Sequence, residues 1–246
     1  MKALILAAGY ATRLYPLTIE YPKPLLTVEH RPIIDYIIEK LKVINAIDEI
    51  IVVTNSKFIS RFRNWRIKHH FKKRISLVDD LTKDHSDRRG AIGDINFTIE
   101  YRLIKDDLLV IGGDNLFDGS LEAFLSFAKD KSPHPVIGVF NIKSLQEANK
   151  YGIVKLDRKQ RVIDFKEKPK RPKYTMVAMC LYYFPKESLG LLREYLNSQE
   201  DKHDATGFYI DWLRKKVPVY AFVFSGRWYD IGDHRFYNEA REKFAK

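Results

Sequence analysis

One cysteine, Cys180, is all the thiol that 246 residues carry, so an internal disulfide is excluded and a reducing, cytoplasmic setting is expected. No apolar run approaches the roughly 20 residues that a membrane-spanning helix needs, and no membrane partner is expected. The start, Met1-Lys2-Ala3-Leu4, runs straight into a strand pattern and lacks a signal-peptide cleavage pattern. Glutamine is confined to Gln146, Gln160 and Gln199 while Lys, Arg and Glu abound, a composition that suits a heat-tolerant protein. No internal repeat and no low-complexity tail is present. Helix-turn-helix, zinc-finger and RNA-binding signatures are also missing, which speaks against a nucleic-acid partner despite the charge.

What remains is ordinary in bulk: 45% apolar and 30% charged residues, enough for one large core. The net charge of +11 points to an anionic partner. Much of the excess lies between Lys57 and Arg74, a stretch without an acid. Phe58, Phe62 and Trp65 recur there at helical spacing, so this reads as an amphipathic helix with a solvated basic face.

Strand patterns at Ala3–Leu6, Glu49–Thr54, Ile75–Val78, Leu108–Ile111 and Val136–Phe140 alternate with helix patterns starting near Pro32, Lys57, Ala91 and Ser120. Runs such as Ile50-Ile51-Val52-Val53 imply burial on both faces, hence a mostly parallel, Rossmann-like sheet with helices on both sides. Ligands then bind beyond the carboxyl ends of the strands, where the loops after Leu6, Val78 and Ile111 fall. From Tyr151 the pattern turns to a hairpin, Gly152–Leu156 with Arg161–Phe165. A long strand over Tyr174–Phe184, a helix around Lys186–Leu196, strands at Val217–Phe224 and Trp228–Ile231, and a helix capped by Asp233 follow. Pro169–Lys173 reads as an exposed connection.

The most informative stretch is Leu6, Ala7, Ala8, Gly9, Tyr10, Ala11, Thr12, Arg13, with Lys23 between two prolines behind it. An apolar strand gives way to small residues whose backbone N–H groups can close around a phosphate, and Arg13 and Lys23 add fixed positive charge. With Pro24-Leu25-Leu26, this resembles the signature of the sugar-1-phosphate nucleotidylyltransferases. Further matches follow in the family's order: Gly112-Gly113-Asp114-Asn115, Tyr151-Gly152-Ile153-Val154, Phe165-Lys166-Glu167-Lys168-Pro169 and Trp228-Tyr229-Asp230-Ile231-Gly232. One departure stands inside the first motif, where Ala11 replaces the family's usual glycine. Alanine does not adopt positive φ cheaply, so a differently bent loop is expected.

The resemblance implies the nucleotide-diphospho-sugar transferase fold over residues 1–246, one α/β domain with an inserted mixed-β portion. Residues 1–140 would be mainly nucleotide-binding, 141–232 mainly sugar-phosphate-binding and 233–246 a C-terminal helix. It implies Mg-dependent in-line attack of a sugar 1-phosphate on the α-phosphate of a nucleoside triphosphate, releasing pyrophosphate. Arg13, Lys23 and Asp114 would be catalytic. Leu6, Ala7, Ala8, Gly9, Ala11, Thr12, Arg13, Lys23 and Gly90 would bind the nucleotide, and Tyr151, Gly152, Glu167 and Lys168 the sugar phosphate. Asp114 and Asp230 would hold Mg²⁺, with Asp233 a neighbouring candidate. His69 and His70 read as helix surface, and Cys180 as a small core-facing side chain.

Base choice is not legible. The loop Asp79–Gly93 should cover the base, yet the glutamine that often reads a pyrimidine in relatives is not evident, and Asp84, His85, Asp87, Arg88 and Arg89 stand there instead. The segment from His203 to Gly207 lacks the acidic pattern of thymidylyltransferases and bears on sugar choice or subunit contacts. The chain ends soon after Asp230, so a stand-alone transferase is expected, with homo-oligomerisation left open. Rival readings are a cytidylyltransferase for a non-sugar phosphate such as phosphocholine, an inactive regulatory homologue, and a dinucleotide-binding oxidoreductase. Against the last, the first loop lacks Gly-x-Gly-x-x-Gly, and Glu20 and Glu29 lie in the wrong context for a ribose contact.

Overall fold

The computed structural model describes residues 1–68, 72–198 and 205–244. His69, His70, His203 and Asp204, singled out in the sequence, lie outside the described residues.

The chain opens with β1 (Lys2–Leu6), a short ribbon of β2 (Thr27–Val28) and β3 (Arg31–Pro32), and α1 (Ile33–Lys42). There follow β4 (Glu49–Thr54), α2 (Ile59–Lys68), β5 (Arg74–Asp79), α3 (Gly90–Tyr101) and β6 (Leu108–Gly112). Next come β7 (Asn115–Phe117), α4 (Leu121–Asp130), β8 (Val136–Asn141), α5 (Leu145–Ala148) and the hairpin β9 (Gly152–Leu156) and β10 (Val162–Glu167). The last part holds β11 (Met176–Phe184), α6 (Gly190–Ser198), α7 (Thr206–Lys216), β12 (Tyr220–Phe224), β13 (Trp228–Asp230) and α8 (His234–Lys243).

One nine-stranded sheet runs β10-β9-β11-β6-β1-β4-β5, with β8 on β11 and β12 on β8. Its β6-β1-β4-β5 half is parallel, as the continuous apolar runs require. Alternate residues of these strands serve two cores: Ile5, Ile50, Val52 and Ile111 pack with α1, α2 and α4, whereas Leu4, Ile51, Val53 and Val110 pack with α3, α6 and α7. The period of two along each strand is thereby satisfied on both faces. Phe58, Phe62 and Trp65 are buried beneath the basic face of α2. Ser120 and Asp233 cap α4 and α8 by accepting from Ala123 N and Phe236 N.

The hairpin β9–β10 is not a separate sheet; it extends the central one through β11. Strand β11 slips register between Ala178 and Tyr182, and Cys180 sits in that bulge with φ of 52°. Thr206–Lys216, not read as a helix from the sequence, is one, and it buries Tyr209, Ile210 and Leu213. Among the described residues, no helix is long and apolar enough to cross a membrane.

Candidate active site

Two clefts open at the carboxyl edge of the parallel strands and meet. The first is lined by the loop Leu6, Ala7, Ala8, Gly9, Tyr10, Ala11, Thr12 and Arg13, by Lys23, Gly90 and Asp114, and by Asp80, His85, Arg88 and Asp94. All of the sequence-chosen nucleotide residues are therefore on one wall system. The second is lined by Tyr151, Gly152, Glu167, Lys168, Asp230 and Asp233, with Trp228, Thr206, Gly207 and Phe236 completing it. Arg13 and Cys180 border both. The expectation that Cys180 faces the core is corrected: the β11 bulge turns it to the cleft. There burial first, then Asp114 and Asp230, push its thiol up to about 12.

The first loop is held by its own backbone. Ala7 N donates to Val53 O, Asn55 Nδ2 to Ala8 O, and Thr18 Oγ1 to Ala11 O at 2.8 Å. Ala11 has φ 49° and ψ 42°, a left-handed conformation that opens the short 3₁₀ turn Thr12–Leu14. The expected alternative bend is thus not taken; the alanine adopts the strained backbone that a glycine would take freely. Gly113 packs under this loop, where a Cβ would stand 2.7 Å from Leu6 O, so the close approach of the two backbones requires a glycine there.

At the junction lie Lys23, Asp114 and Asp230. Lys23 Nζ donates to Asp114 Oδ2, both side chains being mostly buried. Burial alone would lower the Lys23 pKa, but the charges of Asp114 and Asp230 outweigh it and raise it. Asp230 is pushed up to about 7 by burial and then by Asp114, against the pull of Lys23 and Arg13. The Asp114 and Asp230 carboxyls are in hydrogen-bond contact. Two facing carboxylates that repel in a buried place form a hard-oxygen donor set, and a divalent cation such as Mg²⁺ fits it by relieving that repulsion. Asp230 is presented by β13, which pairs with β7 so that Asp230 stands opposite Asn115. Asp233 lines the second cleft, but its carboxylate is engaged in capping α8.

Glu167 is nearly buried and lies 3.7 Å from Lys168 Nζ. Burial raises its pKa against the pull of Lys168. Its carboxylate rests on two glycines: a Cβ on Gly152 would come within 2.9 Å of Oε2, and one on Gly207 within 1.8 Å. Lys168, with φ of 40°, is exposed at the rim, and its N–H donates to Tyr151 O.

Of the loop residues named for the base, only His85 and Arg88 border the cleft. Arg89 lies over Phe97 and donates to Asp80 O, Asp87 accepts from Lys83 N and Asp84 N, and Asp84 from Ser86 N. Sequence reasoning did not single out Asp80 and Asp94, which come from β5's end and α3, whereas Thr206 and Gly207, on the first turn of α7, belong to the segment read as bearing on sugar choice or subunit contacts and line the second cleft.

A loop of small residues, a buried lysine and paired aspartates thus lie together at the carboxyl edge of an α/β sheet. A family model for nucleotidyl transferases matches residues 2–246, and the chain belongs to that family. It is 28% identical over 232 residues to the bifunctional protein GlmU of Methanocaldococcus jannaschii, covering 94% of this chain and 51% of that protein. The GlmU of Methanococcus aeolicus is 28% identical over 234 residues, with the same coverage. The chain thus spans about half the length of the curated relatives it matches. A UDP-glucose pyrophosphorylase solved with UDP-glucose has a TM-score of 0.81 at 20% identity, covering 99% of this chain and 98% of that one. A Bacillus anthracis protein assigned as a glucose-1-phosphate thymidylyltransferase has a TM-score of 0.79 at 20% identity, covering 98% and 94%. These likenesses establish the fold.

Proposed function

We propose that the chain is a sugar-1-phosphate nucleotidylyltransferase, joining a nucleoside triphosphate to a sugar 1-phosphate to give an NDP-sugar and pyrophosphate. The observation that carries this reading is the meeting of two clefts at Lys23, Asp114, Asp230 and Arg13. The likeness to GlmU and to sugar-nucleotide pyrophosphorylases supports a sugar acceptor. Residues 1–140 would then serve mainly the nucleotide and 141–232 mainly the sugar phosphate, with Arg13 and Cys180 shared between them.

The acceptor's phosphate oxygen is already an anion near neutral pH, so no general base is required. The task is to gather two polyanions and to stabilise charge as it builds on the α-phosphate and the leaving pyrophosphate. The backbone of residues 6–13 holds the triphosphate, Arg13 grips the leaving group, and Lys23 neutralises the phosphates during transfer. Lys168 holds the acceptor's phosphate and Glu167 accepts hydrogen bonds from sugar hydroxyls. Glycines 152 and 207 leave room for that carboxylate. Asp114 and Asp230 would hold Mg²⁺, which when bound supplies charge neutralisation at the phosphates.

The test is pyrophosphate release from common nucleoside triphosphates paired with a panel of sugar 1-phosphates, with Mg²⁺. Activity in at least one pairing is expected; none in any pairing sinks the reading. A second reading, a non-sugar phosphate bearing a quaternary ammonium, draws on the aromatic rings of Tyr151, Phe165, Tyr182, Trp228 and Phe236 around the acceptor cleft. Turnover of phosphocholine with CTP, and of no sugar phosphate, would favour it.

A further inference from the structure

A further cavity, of about 200 Å³, adjoins the second cleft. The two share Tyr151, Trp228, Asp230 and Phe236. The further cavity adds Phe140, Ile142, Glu147 and Glu239, which border neither reaction cleft. Phe140 comes from β8, Glu147 from α5, Trp228 and Asp230 from β13, and Phe236 and Glu239 from α8. The Asp233 cap fixes the start of α8, and a spacing of three then sets Phe236 and Glu239 on one face.

Its walls are set in advance. The Trp228 ring, held through Nε1–H on Asn115, lies 5.2 Å from the Tyr151 ring and 5.7 Å from that of Phe140. The Tyr151 backbone is pinned on both sides, donating to Ala148 O and accepting from Lys168 N. Glu147 Oε2 takes Lys150 Nζ at 2.9 Å and Arg235 Nη2 at 2.7 Å, the latter strapping α5 to α8. Both cations stand over the Phe236 ring. Glu239 Oε1 takes Lys243 Nζ at 3.0 Å.

These charges exclude most ligand classes. An anion would meet three carboxylates, and among the described residues no lysine or arginine borders the cavity. A cation would meet carboxylates already answered: Glu147 by two cations, Glu239 by one, and Asp230 by the pull of Lys23 and Arg13. A wholly apolar group would desolvate Glu147 and Glu239 without giving them a donor. What remains is a neutral ring with apolar faces and hydroxyl donors at its rim. A pyranose sugar has that form: its C–H bonds pack on aromatic rings and its hydroxyls donate to carboxylates. Room suffices, since a cavity of about 150 Å³ admits a benzene ring.

We propose that this cavity is a second saccharide site, taking a neutral pyranose against Trp228 and Tyr151 with its hydroxyls on Glu147 and Glu239. The site does not depend on the transferase reading. Its ring is not the one that reacts, because no cation is there to hold a phosphate. Its source is either a further sugar unit of the acceptor, reaching past the shared wall, or a free neutral saccharide.

The experiment titrates the unmodified chain with a panel of methyl hexopyranosides, read by calorimetry and saturation-transfer NMR, without nucleotide or Mg²⁺. Glucuronate, tetramethylammonium and cyclohexanol serve as the anionic, cationic and apolar counterparts. At least one neutral pyranoside is expected to bind, and more tightly than all three. Glu239→Leu is expected to weaken it about fivefold or more, the scale of one hydrogen bond to a charged group, and Glu239→Gln, which keeps an accepting oxygen, to weaken it less. Ile142→Trp, which fills the cavity, is expected to abolish it, and Glu167→Ala, in the acceptor cleft, to leave it unchanged. If Ile142→Trp does not fold, the two Glu239 variants carry the test. Binding of no neutral pyranoside, tighter binding of any counterpart, or binding indifferent to Glu239→Leu overturns the proposal. None of these outcomes touches the transferase reading, which pyrophosphate release tests. Displacement by a disaccharide 1-phosphate but not by a monosaccharide 1-phosphate gives the site to the acceptor's second ring; displacement by neither gives it to a free saccharide.

Discussion

The Trp228 indole Nε1–H donates to the Asn115 carboxamide oxygen at 2.8 Å, tying β13 to β7 through side chains as well as backbone. The same carboxamide's Nδ2 donates to Met179 O at 2.6 Å and Cys180 O at 3.3 Å, holding the β11 bulge. Asn115 thus joins the segments that carry Asp114, Asp230 and Cys180. Asn115→Ala leaves an indole N–H and two carbonyls unpaired, a loss of about 1–3 kcal/mol in urea unfolding. The Mg²⁺ concentration for half-maximal activity is expected to rise as well. A purely structural asparagine would change the unfolding midpoint alone.

Lys23 and Asp114 form a mostly buried ion pair where the two clefts meet, and the proposed reading gives it the handling of phosphate charge. Lys23→Ala is expected to lower turnover by about 10²-fold or more, the scale of removing one fixed transition-state donor. Asp114→Ala is expected to do the same. Circular dichroism should report an intact fold in each, and turnover within a few-fold of the parent would remove the residue from its assigned role.

Ala11 pays a backbone cost that glycine does not, roughly 1–2 kcal/mol, against about 0.5–1 kcal/mol of extra chain entropy for glycine. Ala11→Gly is therefore expected to be neutral to stabilising by up to about 1 kcal/mol, read as a small rise in the thermal midpoint. Ala11→Val, branched at Cβ, is expected to lower it.

Gly207 has no space for a methyl group, because Glu167 Oε2 occupies it. In Gly207→Ala the carboxylate must move. The expected result is a several-fold rise in KM for the sugar phosphate with KM for the nucleotide unchanged. Equal changes in both constants would detach Gly207 from the acceptor cleft.

Burial, opposed by Lys168, holds the Glu167 carboxyl above its ordinary range. Between the ordinary and the raised value, the folded chain binds more protons at this group than the unfolded chain. This group therefore makes stability fall as pH rises through that window. Glu167→Gln abolishes the ionisation, so it is expected to melt above the parent at neutral pH. The difference should close as pH falls below the ordinary glutamate value of about 4.3. Parallel melting curves across that range would contradict the assignment.

The parallel half of the sheet was legible because Ile50-Ile51-Val52-Val53 and Leu108-Leu109-Val110-Ile111 have no polar alternation to suggest any other burial. Arg13, Lys23, Asp114 and Asp230 were legible because their neighbours form an ordered set of motifs. Asn115–Phe117 is too short for any period to emerge. In Thr206–Lys216 the apolar spacing of Tyr209, Ile210 and Leu213 was present, but a Thr-Gly start gives no strong helix signal. Cys180 misled for a different reason: a bulge changes which face each later residue meets, and strand alternation cannot reveal an inserted step. Asp80 and Asp94 are brought together only by the packing of α3 against the sheet, which no local pattern encodes.

The union of both clefts on one sheet has a mechanical consequence. Strand β6 is hydrogen-bonded to β1 on one side and to β11 on the other, so the walls of the first and second clefts are backbone neighbours. On the proposed reading, the spacing between the two reacting phosphates would be built in as in a jig. Such an arrangement keeps its geometry until the sheet itself gives way, so heating should extinguish catalysis and cooperative structure at one temperature.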